Sequence, residues 1–266
     1  WAASHTGLIP ALNQFYLRND AGWNFPRPNR AEFFYPQGAP RGPGLPLVEK
    51  RVDFDDLTAG LERRLGERAS VFVEVPVRFL NPEVNANQSG LGDVAAGFKY
   101  AVWQTCDTIA TVQLRAFAPS GNPNRGLGTG HATLEPALLA AHSPADRLTL
   151  LGEFRAWTPV GGTDFAGEVL RYGVGGRYDV WRSDVVRVAP VVEVVGWEVL
   201  SGKERGIPDV GEATTASAAG TSIVNVKLGC RVDVGGRAGV YVGYGRPLTG
   251  ATWYADLLRV EARWVY

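Results

Sequence analysis

The chain lacks methionine, has only two cysteines and three histidines, and carries no excess of charge of either sign. Its 27 basic side chains balance 27 acidic ones, so no net field attracts nucleic acid or an anionic membrane surface. Because methionine is absent even at position 1, we expect a mature or trimmed chain whose targeting segment has been removed. The scattered histidines and cysteines have no metal-ligand spacing, so we expect neither a metal site nor a cofactor.

Long apolar runs are absent as well. The longest uninterrupted stretches, such as residues 137–141, fall far short of the roughly 18 to 20 residues of a membrane-spanning helix. The 33 glycines and 17 prolines imply many turns and disfavour long helices. A content of 45% hydrophobic and 20% charged residues is too apolar for a disordered chain. The sequence therefore excludes a helical membrane protein and indicates a folded, turn-rich one.

What the chain has in abundance is alternation of apolar and polar residues, which begins near residue 57 and indicates β-strands. Between residues 68 and 80, for example, Val71 and Val73 fall on one face, whereas Ser70 and Glu74 fall on the other. About eleven segments of this kind follow one another. They span residues 57–65, 68–80, 91–103, 108–118, 132–142, 147–158, 170–181, 185–198, 223–234, 237–247 and 254–266.

The connections between these segments are alternately short and long. The short ones lie near residues 66–67, 104–107, 143–146, 182–184 and 235–236. The long ones, rich in Gly, Pro, Asn and Ser, lie at residues 81–90, 119–131, 159–167, 199–221 and 248–253. An antiparallel meander with short turns at one end and long loops at the other is the topology of a transmembrane β-barrel.

A soluble barrel or sandwich would show the same alternation with its apolar face buried, so other features must decide between them. The segments exceed the roughly 5 to 6 residues of soluble strands and match the roughly 9 to 11 of a tilted transmembrane strand. Aromatic residues gather at segment ends, as in the girdles of membrane interfaces. They are Tyr100, Trp103, Tyr178, Trp181, Trp264 and Tyr266 at one end, with Trp157 and Trp197 near the other.

The first 50 residues form a separate N-terminal segment ahead of the barrel, which we assign to residues 51–266. Residues 23–28 and 37–44 fit neither a strand nor a helix for long. The segment supplies either one strand near residues 8–17 followed by a long Pro- and Gly-rich loop, or a plug in the lumen. With that strand, the sequence predicts an all-β fold: an antiparallel up-and-down transmembrane β-barrel of about twelve strands in a bacterial outer membrane.

Two motifs resemble a known family. Residues 89–100, SGLGDVAAGFKY, resemble the S-G-(L/W)-G-D-(hydrophobic)-x-x-G-x-K-Y segment of outer-membrane transporters associated with the MetA pathway of phenol degradation. Residues 118–121, APSG, resemble the (T/A)-P-(T/S)-G that often follows a strand there, and the terminal strand resembles the C-terminal signal of bacterial outer-membrane proteins. The resemblance covers about residues 57–266. It implies a β-barrel that facilitates entry of hydrophobic or aromatic compounds, and it brings no catalytic residues.

The charged face of the strands, turned inward, supplies the candidate lumen-lining residues. They are Glu74, Arg78, Lys99, Arg115, Glu135, Glu153, Arg155, Arg171, Arg177, Asp179, Arg187, Glu193, Lys227, Arg231, Arg259, Glu261 and Arg263. With Asp93 and Asp233, the inward face has about eleven basic and eight acidic side chains, a slight cationic excess. They would line either a polar, weakly anion-selective channel or a network of paired charges that closes a narrow barrel.

The leading functional prediction is passive uptake of small solutes, hydrophobic or aromatic, with the lipid bilayer and the solute as partners and no nucleic acid. A sealed structural barrel that binds a partner through its loops is the alternative. A barrel enzyme is the weakest interpretation, because His131, Ser120 and Asp164 have no nucleophile elbow around them. Residues 125–130 are glycine-rich, but no helix follows to complete a phosphate cradle, so we expect a flexible loop.

The two cysteines are predicted to be unpaired. Cys106 falls in a short turn, whereas Cys230 falls on the apolar face of a distant strand. A disulfide requires Cα atoms within about 7 Å, and strands that far apart in a closed sheet do not provide this.

Overall fold

The computed structural model describes residues 11–25, 44–47, 49, 51–205 and 215–266. Within this part of the chain, twelve long strands form one antiparallel barrel, as the alternation predicts. They are β1 (Gln14–Phe25), β2 (Val52–Arg64), β3 (Ala69–Pro82), β4 (Ala95–Gln104), β5 (Thr108–Phe117), β6 (Ala132–Ala145), β7 (Leu148–Val160), β8 (Val169–Tyr178), β9 (Val186–Val199), β10 (Ser222–Val234), β11 (Ala238–Pro247) and β12 (Asp256–Val265).

Each strand pairs antiparallel with its neighbours in the chain, and the first strand closes the ring on the last. In that closing pair, Gln14 lies opposite Val265 and Trp23 lies opposite Asp256. A closed ring leaves no long strand with an unpaired edge, which satisfies every backbone group that faces lipid.

Short turns gather at one end of the barrel and long connections at the other. Gly235, Gly236 and Arg237 form a three-residue turn between β10 and β11, and both glycines adopt positive φ (57° and 66°), as this tight hairpin turn requires. In outer-membrane barrels the short turns face the periplasm. We therefore call the end of the barrel that carries them the inner mouth, and the end that carries the long loops the outer mouth.

Several short elements accompany the barrel strands. Residues Gln88–Leu91 extend the sheet beside β3, and Trp181–Arg182 pair with the start of β9. Lys203–Arg205 pair with Thr215–Ser217 in the loop between β9 and β10. The 3₁₀ turn Pro123–Arg125 lies in the loop between β5 and β6. No helix among the described residues is long and apolar enough to cross a membrane.

The two faces of the strands differ as the alternation predicts. Apolar side chains such as Val112, Leu138 and Leu228 point outward and are exposed, whereas charged side chains point inward and are buried. This arrangement inverts that of a soluble barrel and matches a lipid-facing surface. Cys230 lies exposed on the outer face and Cys106 in an exposed turn, and neither forms a disulfide.

The aromatic girdle is present at the inner end, but the prediction for the outer end is wrong. The six aromatic residues predicted at the inner end are all exposed on the outer surface: Tyr100, Trp103, Tyr178, Trp181, Trp264 and Tyr266. Trp157 and Trp197 instead point into the barrel, with exposed fractions of 2% and 0%. Each occupies an inward position of its strand, where an apolar cluster replaces the charged side chains.

The N-terminal segment contributes a strand, at a position that differs from the one expected. The structure places β1 at Gln14–Phe25, so the strand predicted near residues 8–17 starts later and continues to Phe25. Residues 1–10 and 26–43 lie outside the described part of the chain. The choice between a long loop and a plug falls on these residues.

Candidate functional site

The interior of the barrel is crossed by a chain of ion pairs, which we call the ion-pair belt. It runs from β12 through β1, β3, β5, β6 and β7 to β8. In order, it joins Arg259 to Asp20 (2.6 Å), Asp20 to Arg18 (3.4 Å), Arg18 to Glu74 (3.8 Å), Glu74 to Arg115 (3.3 Å), Arg115 to Glu135 (3.2 Å), Glu135 to Arg155 (2.7 Å), Arg155 to Glu153 (3.1 Å) and Glu153 to Arg171 (2.7 Å).

The side chains at the centre of the belt are fully buried. The exposed fraction is 0% for Arg155 and 1% for Glu135. Glu135 also accepts a hydrogen bond from the indole N–H of Trp157, so its two carboxylate oxygens serve two guanidinium groups and one indole. Tyr16 donates its hydroxyl to Glu74. Burial of charge at this density is tolerable only because each carboxylate meets several donors.

Other inward charges form separate buried pairs beside the belt. They join Arg78 to Asp56 (2.8 Å), Lys99 to Glu62 (2.9 Å), Lys227 to Glu193 (2.8 Å) and Arg231 to Glu261 (3.0 Å). A cavity of about 50 Å³ remains against the belt, lined by residues that include Arg18, Glu74 and Arg115. This volume holds about four water molecules.

The structure brings most of the predicted lumenal residues together. Those in the belt and the separate pairs are buried apart from Glu153, which is half-buried, and Asp179, just beyond β8, is buried as well. Arg177 and Arg263 are half-buried near the inner mouth, while Arg187 is exposed there. Sequence reasoning missed Arg18, Asp20 and Asp56, which continue the alternation upstream of residue 57, and Glu62, which lies within the predicted segment 57–65.

These additions change the charge balance of the interior. One base and three acids added to the predicted eleven and eight give twelve basic and eleven acidic side chains. The predicted cationic excess therefore almost disappears across the barrel as a whole. Any preference for anions must come from where the charges lie rather than from their sum.

Toward the outer mouth, the interior is filled by what we call the outer apolar cluster. It consists of Phe25, Val52, Phe54, Leu80, Leu127, Trp157, Val169, Val195, Trp197, Val199, Ala218, Ile223, Trp253, Tyr254 and Leu257. The Trp253 ring stacks on Phe25 with centroids 6.2 Å apart and meets Trp197 edge-on at 6.3 Å. Arg171 of the belt lies over the Trp197 ring at 5.8 Å, so the cluster rests on the belt.

Loop residues supply the central side chains of this cluster. Trp253 and Tyr254 belong to the connection between β11 and β12, yet both are buried inside the barrel. Burial raises the pKa of the Tyr254 hydroxyl above its usual value, which keeps it neutral. Alternation within strands carries no information on loops, and only the bulk of these two adjacent aromatic residues signals that the loop folds inward.

The family-like motif anchors a second loop. The Asp93 carboxylate accepts hydrogen bonds from Gly121 N (3.0 Å), Thr129 N (2.8 Å) and the Thr129 hydroxyl (2.9 Å). Ser120 donates to Gly92 O (2.9 Å) and accepts from Val94 N (2.8 Å). Residues 89–100 and 118–121 therefore hold each other in place.

The prediction of a flexible loop at residues 125–130 is wrong, because the hydrogen bonds to Asp93 hold this loop in place. The loop folds over the barrel and buries Leu127 in the outer apolar cluster. Gly121 and Gly128 pack backbone against backbone, where a Cβ on either residue would come within 2.8 Å of the other. Two glycines are needed because no side chain fits between these backbones.

The weak catalytic constellation gains no support from the geometry. The Ser120 hydroxyl is engaged with the backbone of Gly92 and Val94. Asp164 forms an exposed pair with Lys203 at 2.7 Å, which holds the pKa of Asp164 below its usual range. His131 is buried at the start of β6, with its ring against Gly162. In the described ranges no group of three or more His, Cys, Asp or Glu residues is placed to hold a metal ion.

Comparison with known proteins agrees with this fold. Residues 41–158 match the family model described as the MetA pathway of phenol degradation. No curated protein matches the chain.

Three solved structures are similar in fold. The COG4313 outer membrane channel from Pseudomonas putida F1 aligns with a TM-score of 0.60 at 14% identity, over 99% of this chain and 100% of that one. The beta domain of the Bordetella autotransporter BrkA aligns at 0.54 with 12% identity, over 96% and 100%. The NanC porin aligns at 0.52 with 8% identity, over 93% and 98%. The family match, which includes residues 89–100 and 118–121, confirms their resemblance to that family, and the fold of the chain is that of outer-membrane β-barrels.

Proposed function

We propose that this barrel is a channel for passive uptake of small hydrophobic or aromatic solutes. The observation that carries the proposal is the outer apolar cluster, which places indole and phenyl rings inside the outer mouth. Aromatic rings pair favourably with one another in stacked and edge-to-face geometries, so an aromatic solute can replace a ring-to-ring contact of the cluster. A channel and a porin among the proteins of similar fold support the same assignment.

The mechanism is diffusion down a gradient, without a cofactor or coupled energy. A solute enters between the long loops and displaces Trp253 from its contact with Phe25, because Trp253 belongs to a connection rather than to a strand. The ion-pair belt then sets the size limit, and its paired charges favour neutral over charged solutes. The inner mouth opens toward the periplasm.

Conductance in planar bilayers tests this proposal. We expect small, infrequent openings in the unmodified protein. Trp253→Ala removes the ring at the centre of the cluster and should increase the open probability several-fold. Trp264→Ala is the matched control, because this indole lies exposed in the lipid-facing girdle and should leave conductance unchanged. Absence of conductance in both the unmodified protein and Trp253→Ala would refute the channel.

A sealed barrel is the second candidate, and the ion-pair belt favours it. The cavity against the belt, which Trp157 of the outer apolar cluster also lines, has a volume of about 50 Å³. In a sealed barrel the outer loops would bind a partner and the interior would serve stability alone. The same conductance recordings decide between the two candidates, because a sealed barrel conducts no ions even in Trp253→Ala.

A further inference from the structure

The inner mouth contains a second cavity, of about 540 Å³, on the wall formed by β8 to β12. Five arginines and two aspartates supply its charge: Arg177, Arg182, Arg187, Arg237, Arg263, Asp184 and Asp233. We call this cavity the arginine vestibule. Five positive charges against two negative ones contrast with the near balance of the barrel as a whole, so the cationic excess is concentrated at this one place.

One of the two carboxylates of the vestibule, that of Asp233, is already shared among several arginines. Asp233 lies 3.1 Å from Arg263 and 3.9 Å from both Arg177 and Arg231. The buried Nε atom of Arg177 has no hydrogen-bond partner. Within the described part of the chain, Arg182, Arg187 and Arg237 lie in no ion pair with a carboxylate.

Two of these arginines oppose each other across a hairpin. Arg182 lies directly opposite Arg187 in the short pairing before β9, so both side chains point to the same face. Like charges directly opposite on neighbouring strands are destabilising. An anion between the two guanidinium groups would turn this repulsion into a shared attraction.

Small residues keep the space in front of these arginines open. Gly235 and Gly236 line the vestibule, and Gly239 lies on the inward face next to it. A Cβ at Gly239 would come within 2.4 Å of an Asp233 carboxylate oxygen and 3.4 Å of Arg263 Nε. The volume falls within the roughly 300 to 1,000 Å³ of small-molecule sites.

We propose that the arginine vestibule binds a small multivalent oxyanion, with the phosphate group as the chemistry recognised. Guanidinium groups bind phosphate oxygens in bidentate fashion, and several of them around one cavity favour more than one negative charge. The source is either a phosphorylated solute in the periplasm or the headgroup of an inner-leaflet phospholipid. Binding at this site does not depend on conduction, so a test of binding can fail without contradicting the proposed channel.

Calorimetric titration of the whole barrel in non-ionic detergent with inorganic pyrophosphate, at constant ionic strength, tests the proposal. We expect one saturable site, and Arg182→Gln/Arg187→Gln should weaken it by at least about tenfold, because two charged hydrogen-bond donors are lost. The control Arg51→Gln/Arg246→Gln removes the same charge from exposed residues at the outer end and should leave the affinity unchanged. No saturable binding, or equal weakening in the two variants, would overturn the proposal.

Unfolding of the same variants excludes a folding defect. Without pyrophosphate, Arg182→Gln/Arg187→Gln should be at least as stable as the unmodified protein, because a repulsive pair has been removed. With pyrophosphate, only the unmodified protein and the outer-end control should gain stability. An equal gain of stability with pyrophosphate in Arg182→Gln/Arg187→Gln would contradict the proposed site.

Native mass spectrometry then identifies the source of the phosphate. If a lipid headgroup fills the vestibule, the unmodified barrel released from phosphatidylglycerol nanodiscs should retain a bound phospholipid that Arg182→Gln/Arg187→Gln loses. Equal phospholipid retention in the two proteins identifies a soluble anion.

Discussion

The two mouths of this barrel differ in the side chains that occupy them. At the outer mouth, loops fold inward and fill the interior with aromatic and aliphatic side chains. At the inner mouth, short turns leave a charged cavity of about 540 Å³. The ion-pair belt separates the two. Packed apolar side chains therefore fill the barrel at one end, whereas arginines around an open cavity dominate the other.

The largest expected effect comes from the belt, on which the outer apolar cluster rests. Glu135→Gln should destabilise the barrel by about 3–5 kcal/mol, because Arg115 and Arg155 lose their shared counter-charge at a buried position. Arg187→Gln at the exposed inner mouth should change stability by less than about 1 kcal/mol. Urea-unfolding curves in lipid vesicles measure both. Equal losses of unfolding free energy in the two variants would show that the buried belt and the exposed inner mouth do not differ in the way we describe.

An intermediate effect is expected at the anchored loop. Asp93→Ala leaves three donors from Gly121 and Thr129 without their acceptor and should cost about 1–3 kcal/mol. Hydrogen exchange of residues 118–131 should accelerate as the loop detaches.

The matched control lies in a turn at the inner end. The exposed Asp107 accepts hydrogen bonds from the hydroxyls of Thr105 (2.7 Å) and Thr108 (3.1 Å), which lower the pKa of its carboxyl group. Asp107→Ala should leave exchange of residues 118–131 unchanged. Faster exchange in that loop for both variants would mean that it is not held by Asp93.

The smallest effect concerns an exposed pair at the outer end. Lys203 lowers the pKa of Asp164, so the pair stabilises the loops above the usual Asp pKa of about 3.9, and this contribution is lost as pH falls through the lowered value. NMR titration should show the midpoint of Asp164 below that of an unpaired Asp. In Lys203→Gln the midpoint should return to the usual range. An unchanged midpoint in Lys203→Gln would show that Lys203 does not cause the lowered pKa of Asp164.

Strand positions and the two faces of each strand were predictable because both follow from a local period of two. Val112 and Val226 alternate with Thr111 and Asn225, and the structure places the first two outward and the second two inside. The prediction failed for Trp157 and Trp197, because an aromatic residue near the end of a strand suits a membrane interface and a packed interior equally. The first strand was predicted at residues 8–17 instead of Gln14–Phe25, because a single isolated strand carries little signal without its neighbours.

The sequence by itself determined a closed, antiparallel, lipid-facing barrel, because alternation and turn spacing are local properties of the chain. Only the tertiary structure decided what fills that barrel. The pair of Arg259 and Asp20 joins residues 239 positions apart, which no local pattern specifies. The inward fold of Trp253 likewise depends on how distant segments meet in space, as does the gathering of Arg177, Arg237 and Arg263 around one cavity, and these contacts make one mouth apolar and the other cationic.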